Sequence, residues 1–109
     1  MTGISVEATT RGSWTVLSVK GPINSYTYNE LQEKTMRHAG RVDMAVDLSG
    51  VNSMTSAGIG VLLAAVEDAI AAKKRFVIVA PSEVARLAIE STGFADQFPS
   101  VPSLKELPV

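Results

Sequence analysis

The amino-acid sequence predicts an α/β domain built on a mixed β-sheet. Short apolar runs alternate along the chain with segments of helical periodicity, in the order strand, strand, helix, strand, helix, strand, helix. The first two strands are close enough to form a hairpin, whereas helices separate the later strands and imply right-handed parallel crossovers. A length of 109 residues suits one hydrophobic core. We therefore expect residues 1–109 to form a single domain.

The predicted hairpin comes first. Residues 4–8 alternate apolar and polar side chains, as a half-buried strand does, and residues 11–13 contain a glycine suited to a turn. The β-branched and aromatic run over residues 14–19 predicts the second strand. Gly21 and Pro22 are expected to end it, because proline cannot donate to a sheet ladder.

A first helix is predicted over residues 26–39, followed by a strand over residues 42–48. Asn24 or Ser25 is a candidate cap for this helix, and Gly40 is suited to end it. The positions that recur at helical spacing, with charged residues between them, are Tyr28, Leu31, Thr35 and His38.

A second helix is predicted over residues 56–72. Two lysines and Arg75 follow it, which favours the negative end of the helix dipole. The expected buried stripe consists of Ile59, Leu62, Leu63, Val66 and Ile70.

The last part of the chain begins with a continuous apolar run over residues 76–80, which is typical of a strand covered on both faces. A short helix should follow, with Ser82 as a possible cap and an end near Gly93. The weaker signals beyond it indicate an edge strand over 97–101 and a turn of helix over 103–107.

Composition excludes several classes of function. A net charge of -1 gives no field that would attract nucleic acid, and the absence of cysteine excludes disulfides and thiolate metal sites. The most apolar stretch, residues 57–72, contains Glu67 and Asp68 and is too short to span a bilayer. No nucleotide-binding glycine motif and no metal-ligand spacing is present, so we expect no cofactor and no metal. A cytoplasmic location fits these features.

The segment that starts the second long helix, residues 53–60 (SMTSAGIG), is the most informative part of the sequence. The first N–H groups of a helix have no partner inside it, so the hydroxyl oxygen of Ser56 could accept from them. Gly58 and Gly60 lack a Cβ and would let another surface approach, although each costs the helix roughly 1 kcal/mol. The pattern leaves two interpretations open: an ordinary cap with small residues packed on the sheet, or a binding site.

Residues 47–62 (DLSGVNSMTSAGIGVL) resemble the central motif of STAS domains, and specifically that of bacterial anti-sigma factor antagonists. Residues 21–24 (GPIN) and 91–94 (STGF) resemble two further family motifs, in the right order and spacing. The resemblance implies one STAS domain over residues 1–109, with four to five strands and helices packed mainly on one face.

The resemblance also implies a function. In antagonists, the serine equivalent to Ser56 is phosphorylated by the partner, an anti-sigma factor that is also a serine kinase; the unphosphorylated form binds this partner and frees the sigma factor. Two family aspartates are replaced here by Asn24 and Thr55, and Thr55 adds a second hydroxyl that could take the phosphate. The expected partner-binding residues are Asn24, Ser25, Tyr26, Met54, Thr55, Ser56, Ala57, Gly58 and Gly60.

Two alternatives to a phosphorylated antagonist remain at this level. One is a STAS module of a transporter or a stress-signalling complex that works without phosphorylation. The other is a small hydrolase using Ser56, which the sequence disfavours because His38 is the lone histidine and no G-x-S-x-G motif occurs. We expect a monomer or weak dimer that is not an enzyme and does not bind nucleic acid or membrane directly.

Overall fold

A computed structural model describes residues 3–93 and 95–107. Within them the chain forms five strands and three α-helices, with two short 3-10 turns near the end. The elements are β1 (Ser5–Arg11), β2 (Trp14–Ile23), α1 (Tyr28–His38), β3 (Asp43–Met54), α2 (Ser56–Ala71), β4 (Phe76–Val79), α3 (Glu83–Ser91) and β5 (Ser100–Val101), with 3-10 turns at Ala95–Gln97 and Leu104–Glu106.

The five strands form one sheet in the order β1-β2-β3-β4-β5. Strand β1 is antiparallel to β2, and each later neighbour is parallel, which confirms the predicted hairpin and the mixed α/β sheet. Each helix follows the carboxyl end of one of the parallel strands β2, β3 and β4. All three helices therefore begin at the same edge of the sheet, which we call the carboxyl edge.

Strands β2 and β3 are both longer than the sequence predicts. The expectation that Gly21 and Pro22 end β2 is wrong, because the pairing continues to Ile23 opposite Met54. The register shifts between Gly21 and Pro22, so the missing N–H of the proline falls at an irregularity of the ladder. Strand β3, predicted to end at residue 48, continues to Met54 because this pairing supports it.

The core has two parts, one on each face of the sheet. All three helices pack on one face, as the fold prediction requires, with Leu31, Leu62 and Ile89 contributing one buried side chain each. The opposite face carries a smaller cluster that the end of the chain covers. That cluster consists of Trp14, Val16, Ala45, Val79 and Leu107.

The predicted buried stripe of α2 is partly wrong. Ile70 is 65% exposed and Leu63 is only half-buried, whereas Ala65 and Ala69 are buried. Small side chains let the helix lie close to the sheet, so the buried face is centred on alanines that apolar bulk does not reveal. In α3, likewise, Ala85 and Ile89 are buried while Val84 and Leu87 are exposed.

The remaining boundary predictions have mixed outcomes. Ser82 caps α3 as predicted, its Oγ accepting from Ala85 N at 3.2 Å. The cap of α1 is Thr27 rather than Asn24 or Ser25, and Gly40 supplies the turn after the helix with φ +80°. The expected strand over 97–101 is reduced to Ser100–Val101, and the terminal turn at Leu104–Glu106 is a 3-10 turn.

Arg75 closes the end of the sheet opposite the carboxyl edge, rather than standing only as a cation after α2. Its Nη2 donates to Asp43 Oδ2 at 2.8 Å, and its guanidinium lies 4.4 Å from the centroid of the Trp14 ring. The backbone N–H of Arg75 also donates to Asp43 Oδ1 at 2.8 Å. The Asp43 carboxylate therefore joins the start of β3 to the start of β4.

We expect Asp43→Asn to lower the free energy of unfolding by about 1 kcal/mol at neutral pH. The side-chain and then the backbone hydrogen bonds from Arg75 lower the pKa of Asp43 below its ordinary 3.8. A lowered folded-state pKa stabilises the fold above the ordinary value, and this stabilisation is lost as pH falls through the folded pKa. Urea unfolding of the wild type and the variant across acidic pH should therefore show that the difference between their unfolding free energies shrinks as the pH falls below 3.8. A constant difference would contradict this account.

Candidate functional site

Ser56 is exposed at the carboxyl edge as the first residue of α2. The sequence predicts Ser56 as a possible cap of α2, which is one residue too late. Thr55 is the N-cap, and no side-chain cap bond forms there. The carbonyl of Thr55 accepts from Gly58 N at 3.0 Å and Ile59 N at 3.3 Å, which starts the helix. The Ser56 hydroxyl is consequently not needed for helix initiation.

The hydroxyls of Thr55 and Ser56 are in different situations. Thr55 Oγ1 donates to the carbonyl of Ile23 at 3.4 Å, and Thr55 N donates to the same carbonyl at 2.9 Å. Within the described residues, Ser56 Oγ makes no hydrogen bond to the protein. Both residues are exposed, and of their two hydroxyls only that of Thr55 has a hydrogen-bond partner among the described residues, through one long bond.

Asn24 lies in the turn between β2 and α1, one residue beyond the carbonyl that holds Thr55. Its Oδ1 accepts from Tyr26 N at 2.8 Å and from Thr27 N at 3.2 Å. Thr27 Oγ1 completes the turn by donating to the carbonyl of Pro22 at 2.8 Å. An aspartate at position 24 could offer the same accepting oxygen, so asparagine keeps the turn and removes a negative charge.

The two glycines of α2 have different roles. Gly58 is buried, and a Cβ on it would lie 2.5 Å from Ile23 Cγ2, so the helix can sit on β2 only without that atom. Gly60 is exposed, and a Cβ there would meet nothing within 4 Å apart from its chain neighbours and the backbone of its own helix. The idea that both glycines open the first turn to a partner is therefore wrong for Gly58, which is needed for internal packing.

The other predicted site residues are placed around this turn. Tyr26 is 91% exposed and Ser25 is exposed, so both are accessible at the carboxyl edge. Ala57 is half-buried, and Met54 is half-buried with its side chain packed against the core. None of the predicted site residues carries a charge.

Ser82 belongs to the same region but was predicted only as a helix cap. Its Oγ donates to the carbonyl of Val51 at 2.7 Å, and its N–H donates to the carbonyl of Leu48 at 3.2 Å. Both acceptors are in the strand that leads to Ser56. Sequence reasoning missed these bonds because their partners are far apart along the chain.

A catalytic role for Ser56 finds no support in the position of His38. That residue is the last of α1, which starts at the carboxyl edge and runs 11 residues away from it. A helix rises about 1.5 Å per residue, so His38 lies about 15 Å along the axis from the edge that carries Ser56. Burial lowers the pKa of His38, and the neighbouring cations Arg37, Lys34 and Arg41 lower it further.

Two other predicted features can be placed. The 91–94 motif begins at Ser91, the last residue of α3, and includes Gly93 with φ +77°, while Phe94 lies outside the described residues. Across residues 3–93 and 95–107, no three histidine or acidic side chains cluster in a way that could hold a metal ion. None of the helices in those two ranges has the length and apolar character to cross a bilayer.

Comparisons with known proteins agree on one family. The STAS domain family model matches residues 5–107. The anti-sigma-B factor antagonist of Staphylococcus aureus is 30% identical over 95 residues, which are 85% of this chain and 88% of that protein. An anti-sigma factor antagonist from Mycobacterium paratuberculosis has a similar structure, with TM-score 0.83 and 26% identity over 95% of this chain and 90% of the other. Phosphorylated SpoIIAA, a Bacillus cell fate determinant, has the same fold at TM-score 0.70 and 19% identity, covering 95% of each chain.

Proposed function

The chain belongs to the STAS domain family, and on that premise we propose that it is a cytoplasmic anti-sigma factor antagonist switched by phosphorylation at Ser56. The unphosphorylated form binds an anti-sigma factor that is also a serine kinase, and this binding releases a sigma factor. Phosphorylation ends the binding. The protein is the substrate of the partner kinase and is not itself an enzyme.

The observation that carries the proposal is the accessibility of Ser56. Its hydroxyl is exposed on the first turn of a 16-residue helix and makes no hydrogen bond within the described chain. The neighbouring hydroxyl of Thr55 is bonded to the carbonyl of Ile23. Both residues are exposed, but Ser56 offers a kinase the hydroxyl that has no competing bond to the described protein.

A phosphate at this position would act on the partner more than on the fold. It would bring about -1.5 to -2 charges to a helix N-terminus, where the dipole and the free N–H groups favour an anion. Asn24 and Thr55 are neutral, so they would not repel it. The added bulk and charge would instead occupy the surface that the partner has to cover.

The test is incubation of the purified protein with an anti-sigma kinase and ATP, followed by mass spectrometry. We expect one phosphate, located on Ser56. Ser56→Ala should take up none, whereas Thr55→Val, which keeps the shape of the threonine, should still be phosphorylated at Ser56. A phosphate found on Thr55 instead would mean that Thr55, and not Ser56, is the phosphorylation site. Stable binding to the kinase with no phosphate on either residue would instead support a STAS module that works without phosphorylation.

A further inference from the structure

The second half of β3 lacks a neighbouring strand on one side. Strand β4 pairs with β3 only from Met44 to Asp47, where Val79 is the last partner. Ala80 then adopts φ +46°, an unusual conformation for a residue with a Cβ, and the chain leaves the sheet. Beyond Asp47, β3 pairs within the described residues only with β2, and that pairing contains two register shifts. The strand that leads to Ser56 is thus held by a ladder on one side.

Ser82 supplies the support on the other side. Its N–H donates to the carbonyl of Leu48, and its Oγ donates to the carbonyl of Val51 at 2.7 Å. The same Oγ accepts from Ala85 N and so also caps α3. One half-buried hydroxyl therefore joins the start of α3 to the strand segment that ends at Thr55, the cap of α2.

We propose that Ser82 is a positioning residue for Ser56: the hydrogen bond from Ser82 Oγ to the carbonyl of Val51 fixes the outer half of β3 and thereby the first turn of α2. The functional part of this inference rests on the proposed antagonist function. The structural part concerns the free protein and can be measured without a partner.

Three substitutions at Ser82 distinguish the hydrogen bond that its hydroxyl donates to Val51 from the one that it accepts from Ala85. Ser82→Thr keeps both the donor and the cap, Ser82→Asp keeps a capping oxygen but loses the donor, and Ser82→Ala loses both. The reporters are the amide protons of Thr55, bonded to the Ile23 carbonyl, and of Ala85, bonded to Ser82 Oγ. Their exchange with solvent is followed by NMR.

We expect Ser82→Asp to speed exchange at Thr55 about fivefold to tenfold, the effect of one lost net hydrogen bond, with Ala85 unchanged. Ser82→Ala should speed exchange at both amides, and Ser82→Thr at neither. Unchanged exchange at Thr55 in the Asp and Ala variants would overturn the inference. Faster exchange at Thr55 in all three would overturn it as well, because the hydroxyl would then not be the cause.

The functional consequence is measured as affinity for the anti-sigma kinase. Ser82→Ala should bind several-fold more weakly, and Ser82→Thr should restore wild-type affinity. Ser91→Ala is the control, since it removes a hydroxyl from the other end of α3, where Oγ donates, among the described residues, to the carbonyl of Ala88. Equal affinity of the Ala and Thr variants would overturn the functional part. If the wild type binds no anti-sigma factor, the proposed function fails, and the exchange at Thr55 alone decides the positioning role.

Discussion

Ser56→Glu is expected to weaken binding to the anti-sigma kinase about 100-fold or more while leaving the protein folded. Ser56 is exposed on the first turn of α2, so the longer side chain extends outward and displaces no core atom. The negative charge lies near the positive end of the helix dipole, which stabilises it within the free protein. In the complex with the kinase, the same carboxylate would be buried in the interface without an opposite charge to pair with.

The size of this effect follows from the cost of an unpaired charge in an interface. Charge changes of this kind cost on the order of 2–5 kcal/mol, and about 2.7 kcal/mol already corresponds to a 100-fold change in Kd. Isothermal titration calorimetry gives the affinity, and thermal unfolding of the free protein gives its stability.

Ser56→Gln is the matched control, because glutamine has nearly the same shape as glutamate without the charge. It should bind with much less loss than Ser56→Glu. If the two variants lose affinity equally, bulk rather than charge is responsible. If Ser56→Glu lowers the unfolding temperature by many degrees and still binds, the account of an outward-acting charge is wrong.

Gly58→Ala is expected to destabilise the protein by about 2 kcal/mol, although alanine is the better helix former. The new Cβ would lie 2.5 Å from Cγ2 and 3.2 Å from Cβ of Ile23, a side chain with no exposed surface. The Ile23 side chain cannot rotate away, because it is branched at Cβ and core side chains surround it. The helix or the strand has to shift, and the cost exceeds the gain in helix propensity.

Gly60→Ala is the control for this experiment, since it makes the same chemical change two residues later in the same helix. A Cβ at position 60 meets no atom within 4 Å apart from its chain neighbours and the backbone of its own helix, so only the propensity gain of roughly 0.5–1 kcal/mol applies, and the variant should be more stable than the wild type. Urea unfolding of both variants measures the difference. Equal stability of the two would refute the assignment of Gly58 to packing and Gly60 to the open surface.

Much of the fold is predictable from the sequence because its signals are local. The β1–β2 hairpin depends on alternation and a glycine turn within a few residues, and the hairpin, the cap at Ser82 and the turn at Gly40 are found as expected. The outer half of β3 is not predictable in this way. Residues 49–53 are mostly small and polar, and they are extended because Lys20 to Pro22 pair with them and Ser82 donates to the carbonyl of Val51.

The candidate site shows the same division. Its position was predicted from the motif at residues 47–62, and Tyr26 and Ser56 are exposed where a partner could reach them. What the sequence could not assign was the separate role of each residue. Gly58 faces Ile23, the Thr55 hydroxyl faces the Ile23 carbonyl, and Ser82 reaches Val51, and each of these contacts joins residues that are distant in the chain.

The turn at Asn24 bears on how the sequence of the predicted partner-binding surface can change during evolution. The oxygen that shapes the turn exists in both asparagine and aspartate, so a mutation between them alters the local charge while the backbone keeps its bonds to Tyr26 and Thr27. Related copies of this domain in one genome could therefore acquire different partners by changing electrostatics alone. Selection on partner choice and selection on folding would then act at separate positions, with Asn24 open to the first and Gly58 constrained by the second.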